Sequence, residues 1–375
     1  MTVEKKIWIA SGLVSAALAW ILYALWSVMN QLEGDPTQLS GPAEVDAYFD
    51  TLAAEPAYKI RTGVYVQSLE FEGATDVHAS GYIWQFYRDG VDDAVKPPEG
   101  KVGFILPERV NVADGVIEEA YRLRQEDGEL IGWYFEQTLR QIFDYTAYPF
   151  DHKTVWIRIW PNSYGRHVVL VPDFEAYPAT GRDDVFGINE RIVLGTWERE
   201  NTFFDYKPSV LNSSLGLDRS PMQVGFPELH YNIVVKRKFA NAFIVHMVPL
   251  FIVATLLFGA LMTVTGKEGL AARHDFSTTT VIETASVLFF VVMLAHVQLR
   301  ETIAGSELIY MEYFYFLMYF MLLGVAINTY WFVSDTMPSP RIVRYHDNLI
   351  PKAAFWPSVL AAMVAITLYN IAILS

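Results

Sequence analysis

The sequence predicts an antiparallel β-sandwich of about ten strands followed by a bundle of membrane-spanning helices. Between residues 58 and 236, short runs rich in Val, Ile, Tyr and Trp alternate between two faces and are separated by Gly, Pro and Asp. That pattern is typical of antiparallel strands joined by turns. Beyond residue 236 the chain is strongly apolar, and hydrophobic residues make up 52% of the whole sequence, which indicates a protein that is not wholly soluble.

Five segments are long and apolar enough to cross a bilayer, since a spanning helix needs about 20 mostly apolar residues. They are residues 7–29, 240–265, 276–299, 308–333 and 353–374. The first predicts an N-terminal membrane anchor over residues 1–30. It is longer than the apolar core of a usual secretory signal and no small-residue cleavage site follows it, although a cleaved signal remains the alternative. The other four predict a transmembrane bundle over residues 237–375.

Basic residues orient these spans, because short cytoplasmic loops carry an excess of Lys and Arg. Basic residues lie before the first span, between the second and third spans, and between the fourth and fifth spans. They are Lys5 and Lys6, Lys267 and Arg273, and Arg341, Arg344 and Lys352. We therefore expect a cytoplasmic N-terminus and an extracytoplasmic β-domain. Residues 31–57 are polar, with several Gly and Pro, and predict a linker with a short helix near residues 43–52; residues 58–236 form the predicted sandwich.

Composition excludes several classes of function. The formal net charge of −14 argues against a nucleic-acid partner. The chain has no cysteine, so it has no disulfide and no thiol nucleophile, and its eight histidines are scattered without metal-ligand spacing. No phosphate-binding loop or nucleophile–base spacing is present. We predict no enzymatic activity, no metal site and no cofactor.

A series of short motifs runs through the predicted sandwich and into the bundle. In order they are GVYV (63–66), GYIWQFYRD (81–89), LPERVN (106–111), DGE (127–129), YPFD (148–151), FPEL (226–229), KRK (236–238) and Pro249 inside the second span. Together, over about residues 58–374, they resemble the pentameric ligand-gated ion channels, or Cys-loop receptors, of the bacterial type. The chain departs from the family in its N-terminal anchor, in a long 266–275 loop, and in the absence of proline from residues 303–307.

The resemblance implies a homopentameric ion channel that a small-molecule ligand or protons open and that favours cations. Its partners would be further copies of this chain, the agonist, membrane lipid and permeant ions. A bacterial inner (plasma) membrane is the implied location, with the β-domain in the periplasm or outside the cell. The alternative, from another class, is a non-conducting membrane sensor or scaffold built on the same fold.

The resemblance also implies where movement passes between the two domains. Asp151 would lie on a loop that faces the membrane, and Arg237 at the junction of the last strand and the first bundle helix. Arginine and carboxylate can form a directional, bidentate pair. The predicted coupling residues are Glu72, Pro149, Phe150, Asp151 and Arg237, where Glu72 is a second candidate partner for Arg237. On composition alone, Arg237 could instead mark the lipid headgroup region.

In the family, the ligand site lies between neighbouring subunits and is lined by aromatic side chains, which attract organic cations. The predicted ligand-binding residues are Tyr177, Phe203, Phe204 and Tyr206 on one face, Trp84, Tyr87 and Trp133 on the opposing face, and Glu108 as a counter-charge. Each aromatic residue could equally pack in the sandwich core. We expect the aromatics of residues 203–206 to be the least core-like, because the surrounding sequence is polar.

The third span is the predicted pore helix, because polar residues within a span usually face a bundle interior or water. Its cytoplasmic half is polar and its outer half is apolar, as a gate that closes by dewetting requires. The predicted lining, at steps of four and three, is Thr280, Thr284, Leu288, Val291, Ala295 and Gln298, with Glu283 one residue off this stripe. Alternatively, the Thr and Ser hydroxyls bond their own helix and Glu283 meets a neighbour.

Overall fold

Alternating burial along the chain from residue 58 produces ten strands in the part of the chain that the structure describes. The computed structural model describes residues 2–30, 37–51, 56–110, 115–163, 167–209, 226–266, 278–303, 307–334 and 340–374. The chain divides into a β-rich unit, Glu33–Phe143 with His152–Arg237, and a helical unit, Met1–Leu32 with Asp144–Asp151 and Lys238–Ser375. The predicted β-rich region of about ten strands, followed by several apolar helices, is confirmed.

The strands of the β-rich unit form two sheets. The strands are β1 Tyr58–Phe71, β2 Asp76–Arg88, β3 Phe104–Ile105, β4 Arg109–Val110, β5 Val116–Gln125, β6 Gly128–Arg140, β7 His152–Pro161, β8 Val168–Pro172, β9 Trp197–Pro208 and β10 Pro227–Arg237. One sheet has the order β4–β6–β2–β1–β8, with β5 also paired to β6, and the other has the order β3–β7–β10–β9. Side chains of both sheets meet in one hydrophobic core.

The sheets are not wholly antiparallel, which corrects the prediction. β8 pairs with β1 in parallel, in a register that sets Tyr58 opposite Val168 and Thr62 opposite Pro172. All other strand pairs are antiparallel. An alternating sequence defines the two faces of a strand but not the direction of its neighbour, so the sequence could not distinguish the two pairings of this short strand.

The predicted linker packs as part of the β-rich unit. Residues Pro42–Asp50 form helix α2, as expected, and its Val45 and Phe49 are buried in the core. The Tyr48 ring stacks on Tyr206 with centroids 4.7 Å apart, and the Leu39 amide donates to the Phe204 carbonyl over 2.8 Å. The described residues 37–51 therefore cover one edge strand, β9, rather than forming a free connection.

Five helices among the described residues are long and apolar enough to cross a membrane. They are α1 Val3–Met29, α3 Phe239–Thr263, α4 Thr278–Thr302, α5 Tyr310–Val333 and α7 Leu349–Leu374, with a short helix α6, Arg341–Arg344, before the last. These lengths and compositions make the chain an integral membrane protein. A π-helical turn at Phe243–Met247 precedes Pro249 in α3, because proline cannot donate the backbone bond that a continuous α-helix needs there.

Truncating Trp133 tests the core of the β-rich unit. Its side chain is completely buried, packs edge-on against Phe104, and donates its indole N–H to the Lys101 carbonyl. We expect Trp133→Ala to cost about 3–5 kcal/mol, because it leaves a large cavity. Leu123→Ala, at an exposed position on neighbouring β5, should cost less than about 0.5 kcal/mol. Unfolding midpoints from circular dichroism should separate the two variants, and equal midpoints would contradict the assigned core.

Candidate functional site

The segment Asp144–Asp151 belongs to the helical unit, although strands of the β-rich unit precede and follow it in the chain. We call this segment the coupling loop. Its Tyr148 and Phe150 are buried in the hydrophobic core of the helical unit. The Phe150 ring stacks on Phe239 of α3, with centroids 4.9 Å apart and planes 21° apart. The Tyr148–Pro149 peptide bond is cis. The aromatic pair of the YPFD motif therefore anchors the loop among the helices.

Backbone hydrogen bonds also fix the coupling loop. The Asp144 carboxylate accepts bonds from the Thr146 amide and hydroxyl, each over 2.7 Å. The Thr146 carbonyl in turn accepts a bond from the Tyr310 amide at the start of α5, also over 2.7 Å. A free amide at a helix N-terminus needs a partner, and the loop supplies one. Sequence reasoning missed Tyr310, since nothing in its apolar surroundings distinguishes it from other aromatic residues of the span.

The predicted ion pair between Asp151 and Arg237 stays a prediction. Asp151 is buried in the helical unit and Arg237 ends strand β10 of the β-rich unit. The Arg237 guanidinium lies 4.1 Å from the centroid of the Trp197 ring, a cation–π arrangement. Glu72, the second candidate partner, accepts a hydrogen bond from the Thr138 hydroxyl over 3.3 Å.

A buried lysine beside this arginine escaped the sequence analysis. The Lys153 ammonium lies 4.9 Å from the ring centroid of the same Trp197, 4.8 Å from that of Phe143 and 5.4 Å from that of Phe71. Aromatic faces attract cations most strongly where water is excluded. Lys153 follows the coupling loop by two residues, and Phe143 directly precedes it. Phe143 and Lys153, which flank the loop in sequence, therefore contact each other.

Most of the predicted ligand-binding aromatics lie in the core of a single chain. The buried residues of this set are Tyr87, Trp133, Phe203, Phe204 and Tyr206. The expectation that residues 203–206 are the least core-like is wrong, because all three aromatic side chains are buried. Tyr48 and Phe49 of helix α2 pack on Tyr206, and Phe174 packs on Phe204. The core-packing alternative holds for Tyr87, Trp133, Phe204 and Tyr206. Local polarity misled the prediction, since the covering residues come from distant parts of the chain.

Trp84 and Tyr177 are partly accessible, and Trp84 lines a recess of about 390 Å³. Its indole N–H donates to the Asp173 carboxylate over 2.9 Å. The indole packs against the backbone of β1 at Gly63. Only glycine fits there, because a Cβ on residue 63 would lie 2.1 Å from the Trp84 ring. Further residues of the recess are Arg61, Phe86, Tyr121, Gln125, Leu130, Glu175 and Ala176. Tyr177 instead bonds both the amide and the carbonyl of Val64.

Arg61 gives this recess its charge pattern. Its guanidinium lies 4.4 Å from the centroid of the Phe86 ring, and it pairs with Glu175 at 3.3 Å and Asp173 at 3.9 Å. Two carboxylates and one guanidinium leave the recess with a net negative charge next to an accessible indole. An organic cation would find both electrostatic attraction and an aromatic face there.

Glu108 is already paired with a cation of its own chain. Arg158 contacts both Glu108 and Glu228, the latter at 3.1 Å, and His230 lies 3.9 Å from Glu228. Burial raises the pKa of the Glu108 carboxyl, and the nearby Arg158 charge offsets this only in part. Burial acts the same way on Glu228, but the neighbouring His230 and the charge of Arg158 together outweigh it, so the pKa of Glu228 is lowered.

The exposed face of α4 is rotated from the predicted pore stripe. Leu288 is only 6% exposed and packs in the core of the helical unit, and Ala295 also packs against that core. Their place in the pore lining stays a prediction, because steps of three and four fit two adjacent stripes on a helix and the sequence cannot choose between them. Of the predicted lining residues, Thr280, Val291 and Gln298 are exposed and Thr284 is partly exposed.

Glu283 lies on the face that is exposed. Seven exposed residues along this face form what we call the α4 stripe: Glu283, Val287, Phe290, Val291, Leu294, Gln298 and Glu301. It has a carboxylate at each end and an apolar middle. The Thr284 and Ser286 hydroxyls donate to the carbonyls four residues earlier, each over 2.8 Å. These hydroxyls therefore bond their own helix, as the alternative interpretation predicted.

A buried ionic cluster joins α4 to α5 and was not predicted. The Glu312 carboxylate accepts a hydrogen bond from Arg300 over 2.7 Å and lies 3.2 Å from His296 Nε2. It also accepts a hydrogen bond from the Ile309 amide at the start of α5. A charge buried in a helical unit needs such partners. The only sequence signal was one Glu in the first turn of an apolar span.

With this geometry in hand, we compared the sequence with known proteins. No protein-family model and no curated protein sequence matches the chain. The arrangement of its own residues is therefore the basis for a functional proposal.

The raised pKa of Glu108 predicts a pH-dependent stability. A carboxyl group with a raised pKa holds its proton to higher pH in the folded chain than in the unfolded chain. The folded state should therefore lose stability as the pH rises from 4.5, the ordinary value, through the higher folded pKa. Glu228 has the opposite shift, so its contribution changes only below 4.5.

We expect Glu108→Gln to flatten this loss over the range that begins at pH 4.5 and extends upward. Thermal midpoints over that range should show the difference. Glu99→Gln, at an exposed position in the same unit, should leave the wild-type pH profile unchanged. A Glu108→Gln profile parallel to that of the wild type would rule out the assignment.

Proposed function

We propose that the chain is the subunit of a homopentameric ion channel gated by a ligand or by protons, of the pentameric ligand-gated type. The observation that carries the proposal is the coupling loop. A loop between two strands of the β-rich unit buries its Tyr148 and Phe150 in the core of the helical unit. A sensor domain that transmits a movement to membrane helices requires such a continuous connection.

In this proposal the β-rich unit is an extracytoplasmic sandwich that senses the agonist. Helices α3, α4, α5 and α7 form the transmembrane bundle, and α1 is an additional membrane helix. The N-terminus is cytoplasmic and the membrane is a bacterial inner (plasma) membrane. The basic residues on alternate loops support this orientation. The order of the motifs supports the assignment of the bundle.

The α4 stripe is the proposed pore lining. Five copies would form a ring of Glu283 carboxylates at one end and a ring of Glu301 carboxylates at the other. Such rings favour cations. The apolar middle, formed by Val287, Phe290, Val291 and Leu294, would close the pore by excluding water.

Gating needs no covalent chemistry, because binding that prefers one of two conformations shifts the balance between them. Two features of the β-rich unit support this form of control. The acidic, aromatic recess around Trp84 suits an organic cation. Glu108 titrates above its ordinary range and lies in a charged cluster with Arg158, which suits control by protons.

One observation favours a second candidate, a non-conducting membrane sensor or scaffold. The middle of the α4 stripe is apolar enough to face lipid as well as a closed pore. Ion flux into liposomes that contain the purified full chain separates the two candidates. The channel proposal predicts flux on acidification or on addition of one of a panel of organic amines. Absence of flux under all of these conditions would contradict the channel proposal and favour the non-conducting sensor or scaffold.

Glu283 tests the charge selectivity of the pore. We expect Glu283→Gln to reduce the preference for cations several-fold, because it removes five like charges from one ring. The reversal potential in a salt gradient measures this change. Glu99→Gln, at an exposed carboxylate of the β-rich unit, is the control and should leave the reversal potential unchanged. Identical reversal potentials for the two variants would contradict the assigned lining.

Leu294 tests the gate. Its side chain is 64% exposed in the middle of the α4 stripe. We expect Leu294→Ser to open the channel at about tenfold lower agonist or proton concentration, since a hydroxyl holds water in the constriction. Phe320→Ser, on α5 and 73% exposed, should shift the concentration by less than about twofold. Dose–response curves from planar bilayers would show the difference, and an equal shift in both variants would place the gate elsewhere.

A further inference from the structure

Helix α1 contributes a side chain to the cluster that holds the coupling loop. Trp26, in its last turn, lies 6.1 Å from Phe150 of the loop, 5.9 Å from Phe239 and 6.3 Å from Phe243, measured between ring centroids. The three partners come from two segments that are remote from α1 in sequence. Trp26 thus completes an aromatic cluster around the Phe150–Phe239 stack.

A directed chain of hydrogen bonds starts from the same indole. Trp26 Nε1–H donates to the Tyr310 hydroxyl over 2.8 Å. The Thr367 hydroxyl donates to the Met363 carbonyl, so the 2.6 Å contact between Tyr310 and Thr367 is donated by Tyr310. The chain connects α1, α5 and α7. Each hydroxyl donates one bond and accepts one, so none of these buried groups lacks a partner.

Tyr310 is the residue through which Trp26 acts on the coupling loop. Its amide donates to the Thr146 carbonyl of the loop, and its ring lies 6.0 Å from Phe150. Its hydroxyl is held between Trp26 and Thr367. Loss of the Trp26 indole therefore removes one direct contact with the loop and releases the residue that makes two more.

The aromatic cluster already borders an unfilled apolar space. A cavity of about 450 Å³ already adjoins it, lined entirely by apolar surface, with Ala19 and Trp26 of α1 among its walls. Truncation of Trp26 would enlarge this space rather than let neighbours fill it, and the cost of a cavity rises with its volume.

We propose that Trp26 is a positioning residue for the coupling loop, and that α1 is a working part of the coupling region rather than only an anchor. The effect on gating rests on the proposed channel function. The effect on the loop does not, so the experiment has two independent arms.

The first arm measures loop exposure directly in the full-length protein. The chain contains no cysteine, so Ala147→Cys, at a half-buried position of the loop, introduces a single thiol. A water-soluble fluorescent maleimide labels that thiol at a rate that follows the population of open loop conformations. The variants are compared in this background, each checked for a wild-type elution volume in size exclusion.

We expect Trp26→Phe to raise the labelling rate about two- to tenfold, the effect of losing one hydrogen bond. Trp26→Ala should raise it more than tenfold, because packing is lost as well. Trp20→Ala is the matched control, since Trp20 lies on the same helix and is 71% exposed. Its labelling rate should stay within twofold of the parent. If Trp26→Ala does not fold, Trp26→Phe and Trp20→Phe decide.

Equal labelling rates for the Trp26 and Trp20 variants would overturn the proposal. The second arm measures proton-evoked flux in liposomes. A two- to tenfold shift of the half-activating proton concentration in Trp26→Phe, and not in Trp20→Phe, supports the proposal. If the wild type shows flux but Trp26→Phe is unshifted, α1 has no part in coupling. If the wild type shows no flux under any condition, the channel proposal fails, and the labelling rates still decide the role of Trp26.

Discussion

The burial of Tyr148 and Phe150 among the membrane helices is the contact on which the rest of this protein depends. Burying an aromatic side chain is worth about 1.5–3 kcal/mol, and a stacked pair adds about 0.5–1.5 kcal/mol. The loop that carries these rings is short and is fixed by hydrogen bonds to the Asp144 carboxylate and from the Tyr310 amide. In the proposed channel, this loop would carry a movement of the sensor domain to the helices.

Charged groups in the two units are stabilised in different ways. In the β-rich unit, Lys153 and Arg237 share the Trp197 ring. In the helical unit, Glu312 takes Arg300 and His296 as partners. Buried charges of this kind stabilise a fold weakly but penalise arrangements that separate them. Such groups favour a small number of discrete arrangements, as the proposed two-state channel would need.

Much of the architecture could be predicted from the sequence because it depends on local periodicity. Alternating runs define strands and long apolar runs define spans, so the sequence was sufficient to predict the strands and the five long apolar helices of the described residues. The direction of β8 was not, because it depends on which edge the strand reaches. The rotation of α4 was not either, since Leu288 and Leu294 are equally apolar and only packing against α3 and α5 distinguishes them.

The candidate site was predictable where a residue belongs to a motif, as with Phe150, and not where its role comes from a distant partner. Trp26 and Tyr310 are 284 residues apart and meet through one hydrogen bond. In the sequence, Lys153 is indistinguishable from an ordinary strand residue. Only the fold shows that Phe71, Phe143 and Trp197 surround it. Phe204 and Tyr206 were expected to be less core-like because the residues that pack on them, Phe174, Tyr48 and Phe49, lie more than 25 residues away in sequence.

The most direct test of the account is a double-mutant cycle between Phe150 and Phe239, read as the half-activating proton or agonist concentration. Phe150→Leu, Phe239→Leu and the double variant keep the apolar character and remove the stack. If the loop transmits movement through this pair, the two effects should depart from additivity by about two- to tenfold, which corresponds to the energy of one aromatic contact. Strictly additive effects would mean that the signal reaches the helices by another route.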